Sequence, residues 1–199
     1  GNLSLTINSS SSQGPTDDLR VKPDIAADGT GLYSTRPGGL YGFSSGTSMS
    51  APNTTGTLVL LQQYYSQLHG GSFMNASTLK AIVCHTAVDD NSQTGPDPEF
   101  GWGFLDAKAS AEVISGALDG SAVLQELTLE DGDMYSYTFS AEAGDKLSAT
   151  ICWTDLPGTL ANGTLNDLTP SLVNNLDLRI TKDDQTFLPW GIVKTPIGG

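Results

Sequence analysis

Positive charge is scarce in this sequence. Nine Lys and Arg residues stand against 22 Asp and Glu, a formal net charge of −13 over 199 residues. With no Lys/Arg cluster to neutralise phosphates, the pattern argues against nucleic acid and against an anionic membrane as partners. An acidic excess suits exported proteins and calcium sites, and equally a plain need for solubility. Long apolar runs are lacking too: the longest, around residues 58–61, is far too short to cross a bilayer. Cysteine occurs twice, at Cys84 and Cys152, each in an apolar stretch and neither with metal-ligand spacing. That placement reads as two buried small hydrophobes rather than a disulfide or a reactive pair.

What the sequence does have is glycine and turn residues, with 23 Gly in all. An alternating Leu3, Leu5, Ile7 run predicts a first strand, followed by a Ser-rich stretch. Turn signals then crowd together at Gly14-Pro15, Lys22-Pro23-Asp24 and Asp28-Gly29. Between them, Ile25-Ala26-Ala27 and Gly31-Leu32-Tyr33 read as short buried strands. A long helix is predicted after residue 46, with Leu58, Leu61 and Tyr65 on one face and Gly70-Gly71 as its stop. A second helix carries Leu79, Ile82, Val83 and Thr86 on one side, with Ser77 as the predicted N-cap. A third, short helix is predicted over residues 107–114.

Near residues 116–120 the pattern changes from helical to strand-like. VLQELTL, MYSYTFS, KLSATICW and LVNNLDLRI are separated by Glu-Asp-Gly, Ala-Gly-Asp and Pro-Gly turns. Leu147, Ala149, Ile151 and Trp153 share one face, as do Leu176, Leu178 and Ile180. Short antiparallel strands at this spacing predict a β-sandwich or jelly roll. Two domains are therefore expected, over residues 1–119 and 120–199.

The chemistry-bearing motif is Gly46-Thr47-Ser48-Met49-Ser50-Ala51-Pro52. A serine hydroxyl is a poor nucleophile and must be exposed, rigidly held and within reach of a base. A Gly-Thr turn leading into a helix sets Ser48 at the helix N-terminus, where free N–H groups and the dipole favour negative charge. The Ser48 N–H could then donate to an oxyanion during attack on a peptide carbonyl. On these residues alone Ser48 could equally be a plain N-cap. Pro52 fits if it falls in the first turn, where its missing N–H costs little. Glycines at 42 and 46 would let a substrate backbone approach closely.

Two further segments flank the motif. Upstream lies GPT-DD-LRVKPDIAADGT, and downstream Phe100-Gly101-Trp102-Gly103 precedes a short helix. The three segments, in this order, resemble the subtilase family of serine endopeptidases over roughly residues 9–115. The resemblance implies an α/β fold: the C-terminal half of a subtilisin-like parallel-sheet domain. It also implies Ser48 as the nucleophile, with Gly42, Ser44, Ser45, Gly46 and Thr47 at the substrate. Asn53 departs from the family, in which His commonly follows the Pro.

A Ser-His-Asp triad also needs a base and a carboxylate. In the family these lie upstream, in motifs resembling D-[ST]-G and H-G-T-H-V-A-G, with an upstream Asn completing the oxyanion hole. None of these motifs is in the 199 residues, and His69 and His85 have the wrong order and context. The chain is thus expected to be part of a longer enzyme, inactive by itself, with the rest of the catalytic domain as its partner.

Downstream, Trp153-Thr154-Asp155, residues 172–178 and Pro189-Trp190 resemble the jelly-roll-like β-domain that follows the catalytic domain in one branch of subtilases. Asn175 stands where Asp is usual. Some relatives bind calcium there, which would make Asp155, Asn174 and Asp177 structural calcium ligands. Asx residues near strand ends also simply bond turn backbone. No cofactor is expected for catalysis. The implied substrates are proteins or peptides, and the implied location is outside the cell. A non-catalytic subtilase-like scaffold or binding module is the alternative. A lipase or esterase is disfavoured because Gly-x-Ser-x-Gly is absent around Ser48.

Overall fold

A computed structural model describes residues 5–89, 95–159 and 167–190. Leu3 lies outside them, and Leu5 and Ile7 form no strand. Strands β1 (Leu32–Arg36) and β2 (Leu40–Ser44) pair antiparallel, with Tyr33 opposite Phe43 and Thr35 opposite Tyr41. Cross-strand aromatic contact supports the hairpin, the Tyr33 and Phe43 rings lying 4.9 Å apart. Helices α1 (Thr47–Leu68), α2 (Ala76–His85) and α3 (Ala107–Asp119) follow.

The core forms where the apolar faces of the three helices meet. Leu61, Ile82, Val83 and Ile114 are buried, with Met74 closing one end. The helical spacing of Leu58, Leu61 and Tyr65 does face this core, as does that of Leu79, Ile82 and Val83. Thr86 adds a polar contact, its hydroxyl 2.7 Å from that of the fully buried Ser110 on α3. Gln62 pairs with the Met74 backbone through both its amide groups, at 2.9 Å each, fixing the α1–α2 connection.

Helix ends differ from expectation in three places. The N-cap of α2 is Asn75, not Ser77, and the start of the helix is held by Glu126 instead. Its carboxylate accepts from the Asn75 N–H and side-chain amide, both at 2.8 Å, and from the Thr78 hydroxyl. A carboxylate there also complements the helix dipole. Helix α3 runs five residues past the expected 114, from an Asp106 cap that accepts from Ala109 N–H at 2.9 Å. Pro52 lies beyond the first turn of α1, so the Ser48 carbonyl has no N–H four residues on to accept from.

The parallel sheet expected for residues 1–119 is not among the described strands. Its one trace is a single parallel bridge between Ala26 and Phe104. A parallel pair needs segments distant in the chain, whereas a hairpin closes locally. The segment 24–29 nevertheless acts as a central rail. Ala26 N–H donates to Gly103 C=O at 2.9 Å, and Leu105 N–H to Ala26 C=O at 2.8 Å.

The second half diverges further. Among the described residues beyond α3, the only strands are β3 (Ile180–Lys182) and β4 (Gln185–Phe187), one short antiparallel pair. The expected β-sandwich is not among the described residues. MYSYTFS, KLSATICW and residues 172–179 form no ladder, and Met134 is 87% exposed. Alternation marks one face of a strand as apolar, but it does not supply the second sheet that would bury that face.

One ion cluster joins the rail to α2. Lys80 lies 2.7 Å from Asp24, which also bonds Lys22. Burial works against the charge on Asp24, yet hydrogen bonds from Lys22 and Lys80 outweigh it and hold the carboxyl below its usual value. Lys80 is likewise raised, burial being overcome by Asp24. The stabilisation is therefore present above the unfolded carboxyl value of about 3.9 and lost as pH falls through the lowered folded value. It is also lost when pH rises through the raised Lys80 value. All three side chains are over a third exposed, so the effect is below about 1 kcal/mol. Asp24→Asn is expected to lower the urea midpoint at pH 7, with the difference vanishing below the carboxyl range. A deficit that persists unchanged in acid would show that charge is not its origin.

Candidate active site

The glycine at position 46 governs the approach to Ser48. Gly46 caps α1 with φ 144°, a conformation L side chains rarely adopt. It makes no side-chain cap, and neither does Ser48: the helix begins at Thr47, so Ser48 sits inside the first turn. The Ser48 hydroxyl is exposed and has no partner among the described residues. This geometry answers the plain N-cap reading, because a capping serine would precede the helix and bond its second or third N–H.

A helix start leaves four N–H groups without intrahelical partners. Here those of Met49 and Ser50 turn back onto the Gly46 carbonyl, at 2.9 and 3.3 Å. Those of Thr47 and Ser48 donate to nothing among the described residues. Two free donors at the positive end of a 22-residue helix thus lie beside an unpartnered hydroxyl. That combination suits a negative oxygen formed next to Ser48.

The rail fixes the start of α1. Gly46 N–H donates to Gly29 C=O at 2.8 Å, the Ser50 hydroxyl to Ala27 C=O at 2.9 Å, and the Asn53 amide to Asp28 C=O at 3.2 Å. A side chain at Gly29 would place its Cβ 2.9 Å from the Gly46 oxygen and 3.1 Å from Ser50 Cβ. The KPDIAADGT segment was legible as a motif, but not its task of holding the serine turn. Ser50 and Asn53 were missed as positioning residues. Only the spacing of Ser50 and Asn53, one and two helical turns after Gly46, hinted at a shared face.

The other candidates are placed as follows. Gly42 lies in β2 opposite Ser34, with the Arg36 side chain against it. The Ser44 hydroxyl accepts from Arg36 and the Ser45 hydroxyl from Gly31 N–H, both at 2.8 Å. Both therefore brace the hairpin and the turn after Asp28. Neither histidine approaches Ser48. His69 ends α1, at the far end from Ser48, its ring stacked on Tyr65 and its Nδ1 2.9 Å from the Tyr65 carbonyl. His85 bonds Thr150 at 2.9 Å, and burial lowers its pKa, favouring the neutral form.

In the second half, Asp155 and Asn174 come together. The Asp155 carboxylate accepts from Val173 N–H at 2.9 Å, Asn174 N–H at 3.1 Å and the Asn174 amide at 2.8 Å. These bonds, Val173 first, hold its pKa below the usual carboxylate range. Asp155 and Asn174 thus form a loop clasp, with Asp177 3.7 Å from Arg179 instead.

A model of the subtilase family matches residues 3–103, just over half of the chain and the whole serine turn with its rail. The chain belongs to the subtilase family. It is 28% identical over 204 residues to the serine protease/ABC transporter B family protein tagA of Dictyostelium discoideum, covering 84% of this chain. Pyrolysin of Pyrococcus furiosus is 45% identical over 120 residues, or 57% of the chain. An extracellular serine protease of Serratia marcescens is 40% identical over 78 residues, or 39% of the chain. The subtilase chain spans only 11%, 8% and 7% of these relatives' lengths.

The two serines of the turn should respond differently to truncation. Ser48→Ala removes an exposed, unpartnered hydroxyl and is expected to change stability by less than about 0.5 kcal/mol. Ser50→Ala removes the bond to the rail and should cost about 1 kcal/mol. Chemical denaturation of both variants checks the pair; a loss at Ser48 matching that at Ser50 would restore the capping role.

Proposed function

We propose that this chain carries the nucleophile of a secreted serine endopeptidase, with Ser48 attacking the peptide carbonyl. The observation that carries the reading is the exposed Ser48 hydroxyl beside the free N–H groups of Thr47 and Ser48, within the family-matched segment. Ser48 Oγ bonds to the carbonyl carbon while a base takes its proton, and the new oxyanion accepts from the Ser48 N–H. The amine leaves with that proton, and water then releases the acyl group from Ser48. Gly42, Gly46 and Thr47 border the path of the substrate backbone, and Ser44 and Ser45 hold that border in shape.

On this reading the base, its carboxylate partner and the Asn oxyanion donor are supplied by polypeptide outside these 199 residues; that His69 bonds Tyr65 and His85 bonds Thr150 supports it for the base. A jelly-roll-like arrangement of residues 120–199 would likewise require strands to partner those left open. The name of the Serratia relative supports an extracellular location. The acidic surface fits the same setting.

The test is fluorophosphonate labelling of the longer polypeptide that contains this chain, followed by peptide mass spectrometry over residues 46–52. An adduct on Ser48, lost in Ser48→Ala and absent from the isolated 199-residue chain, is the expected result. A folded polypeptide that takes no label at Ser48 would sink the protease reading and leave a subtilase-like scaffold.

A further inference from the structure

The two cysteines read as unrelated apolar fillers in the sequence, yet the fold brings them to one place. Cys84, in α2, and Cys152, in the segment after residue 146, both line a single cavity of about 70 Å³. Lys80 and Trp102 line it as well. Both cysteines are free thiols; Cys84 is buried and Cys152 half-buried.

The neighbouring contacts explain the convergence. His85 bonds the Thr150 hydroxyl at 2.9 Å, which fixes the segment against the C-terminal turn of α2. Cys84 directly precedes His85, and Cys152 lies two residues beyond Thr150, which lines the same cavity. Lys80 is one helical turn before Cys84, so its ammonium, anchored by Asp24, shares the face that looks into the cavity. A cation at that point favours thiolate over thiol.

We propose that Cys84 and Cys152 form a reversible dithiol–disulfide site that takes a small disulfide oxidant, such as oxidised glutathione, and ties α2 to the second half of the chain. The half-buried Cys152 reacts first. Its sulfur attacks one sulfur of the oxidant, forming a mixed disulfide and expelling one glutathione thiolate. Cys84 then attacks the Cys152 sulfur, closing the internal bond and expelling the second glutathione. The two thiol protons end on the two released glutathiones, so two cysteines are oxidised and one oxidant disulfide is reduced. Burial raises both thiols, Cys84 to about 11, so the exchange accelerates with rising pH, about tenfold per unit while the thiols remain protonated.

The site is independent of Ser48 and is tested on the 199-residue chain. Dilute protein is equilibrated with oxidised glutathione, quenched with iodoacetamide and digested with trypsin without reduction. The expected product joins the peptides of residues 81–108 and 147–179, two hydrogens lighter than their sum, in a monomeric chain, and is reversed by dithiothreitol. Cys84→Ser should stop the reaction at a stable glutathione adduct on Cys152. If the wild-type chain instead stops at that adduct, keeps both thiols alkylatable, or links only between chains, the proposal is overturned. The wild-type measurement decides this even if a variant fails to fold.

Discussion

The fold depends on one short rail, residues 24–29, which is bonded on three sides at once. Its carbonyls hold the first two turns of α1 through Gly46, Ser50 and Asn53. Its backbone pairs with the strand-like residues 101–105, and its Asp24 carboxylate draws in Lys80 of α2. A buried backbone must satisfy its polar groups, and here they are satisfied by three different parts of the chain. The serine turn, the α2 helix and the Gly101–Gly103 turn are thereby fixed relative to one another by a single extended segment.

That constraint creates the site's chemistry. Because Gly46 C=O takes the N–H groups of Met49 and Ser50, and the rail takes the Gly46 N–H, only the Thr47 and Ser48 donors stay free. They are free because no side chain caps the helix. A Ser, Thr or Asp in place of Gly46 would both strain the backbone and risk occupying those donors. The open helix end costs stability that the rail offsets.

The second half shows what a helix-rich core can and cannot organise. Glu126 reaches back to the start of α2, and Thr150 to its end, so two points of the later chain are pinned to the same helix. Between and beyond these pins, apolar side chains such as Met134 and Leu188 face solvent. Side-chain bonds to a helix can position a segment, but only a partnered ladder and a second layer bury a strand's apolar face. Cys84 and Cys152 meet because the Thr150 pin lies beside them.

The sequence by itself determined the helices, the serine turn and the family. Helical spacing, Gly stops and an ordered set of motifs are local signals, and local hydrogen bonds and side-chain volumes enforce them. It did not determine the cap of α2, because the group that completes it, Glu126, comes from another part of the chain. Nor did it determine which backbone groups Asp155 would bond, or the meeting of the two cysteines. Tertiary structure decided these. Each depends on which distant residue arrives at a given place, and a pattern of nearest neighbours carries no information about that.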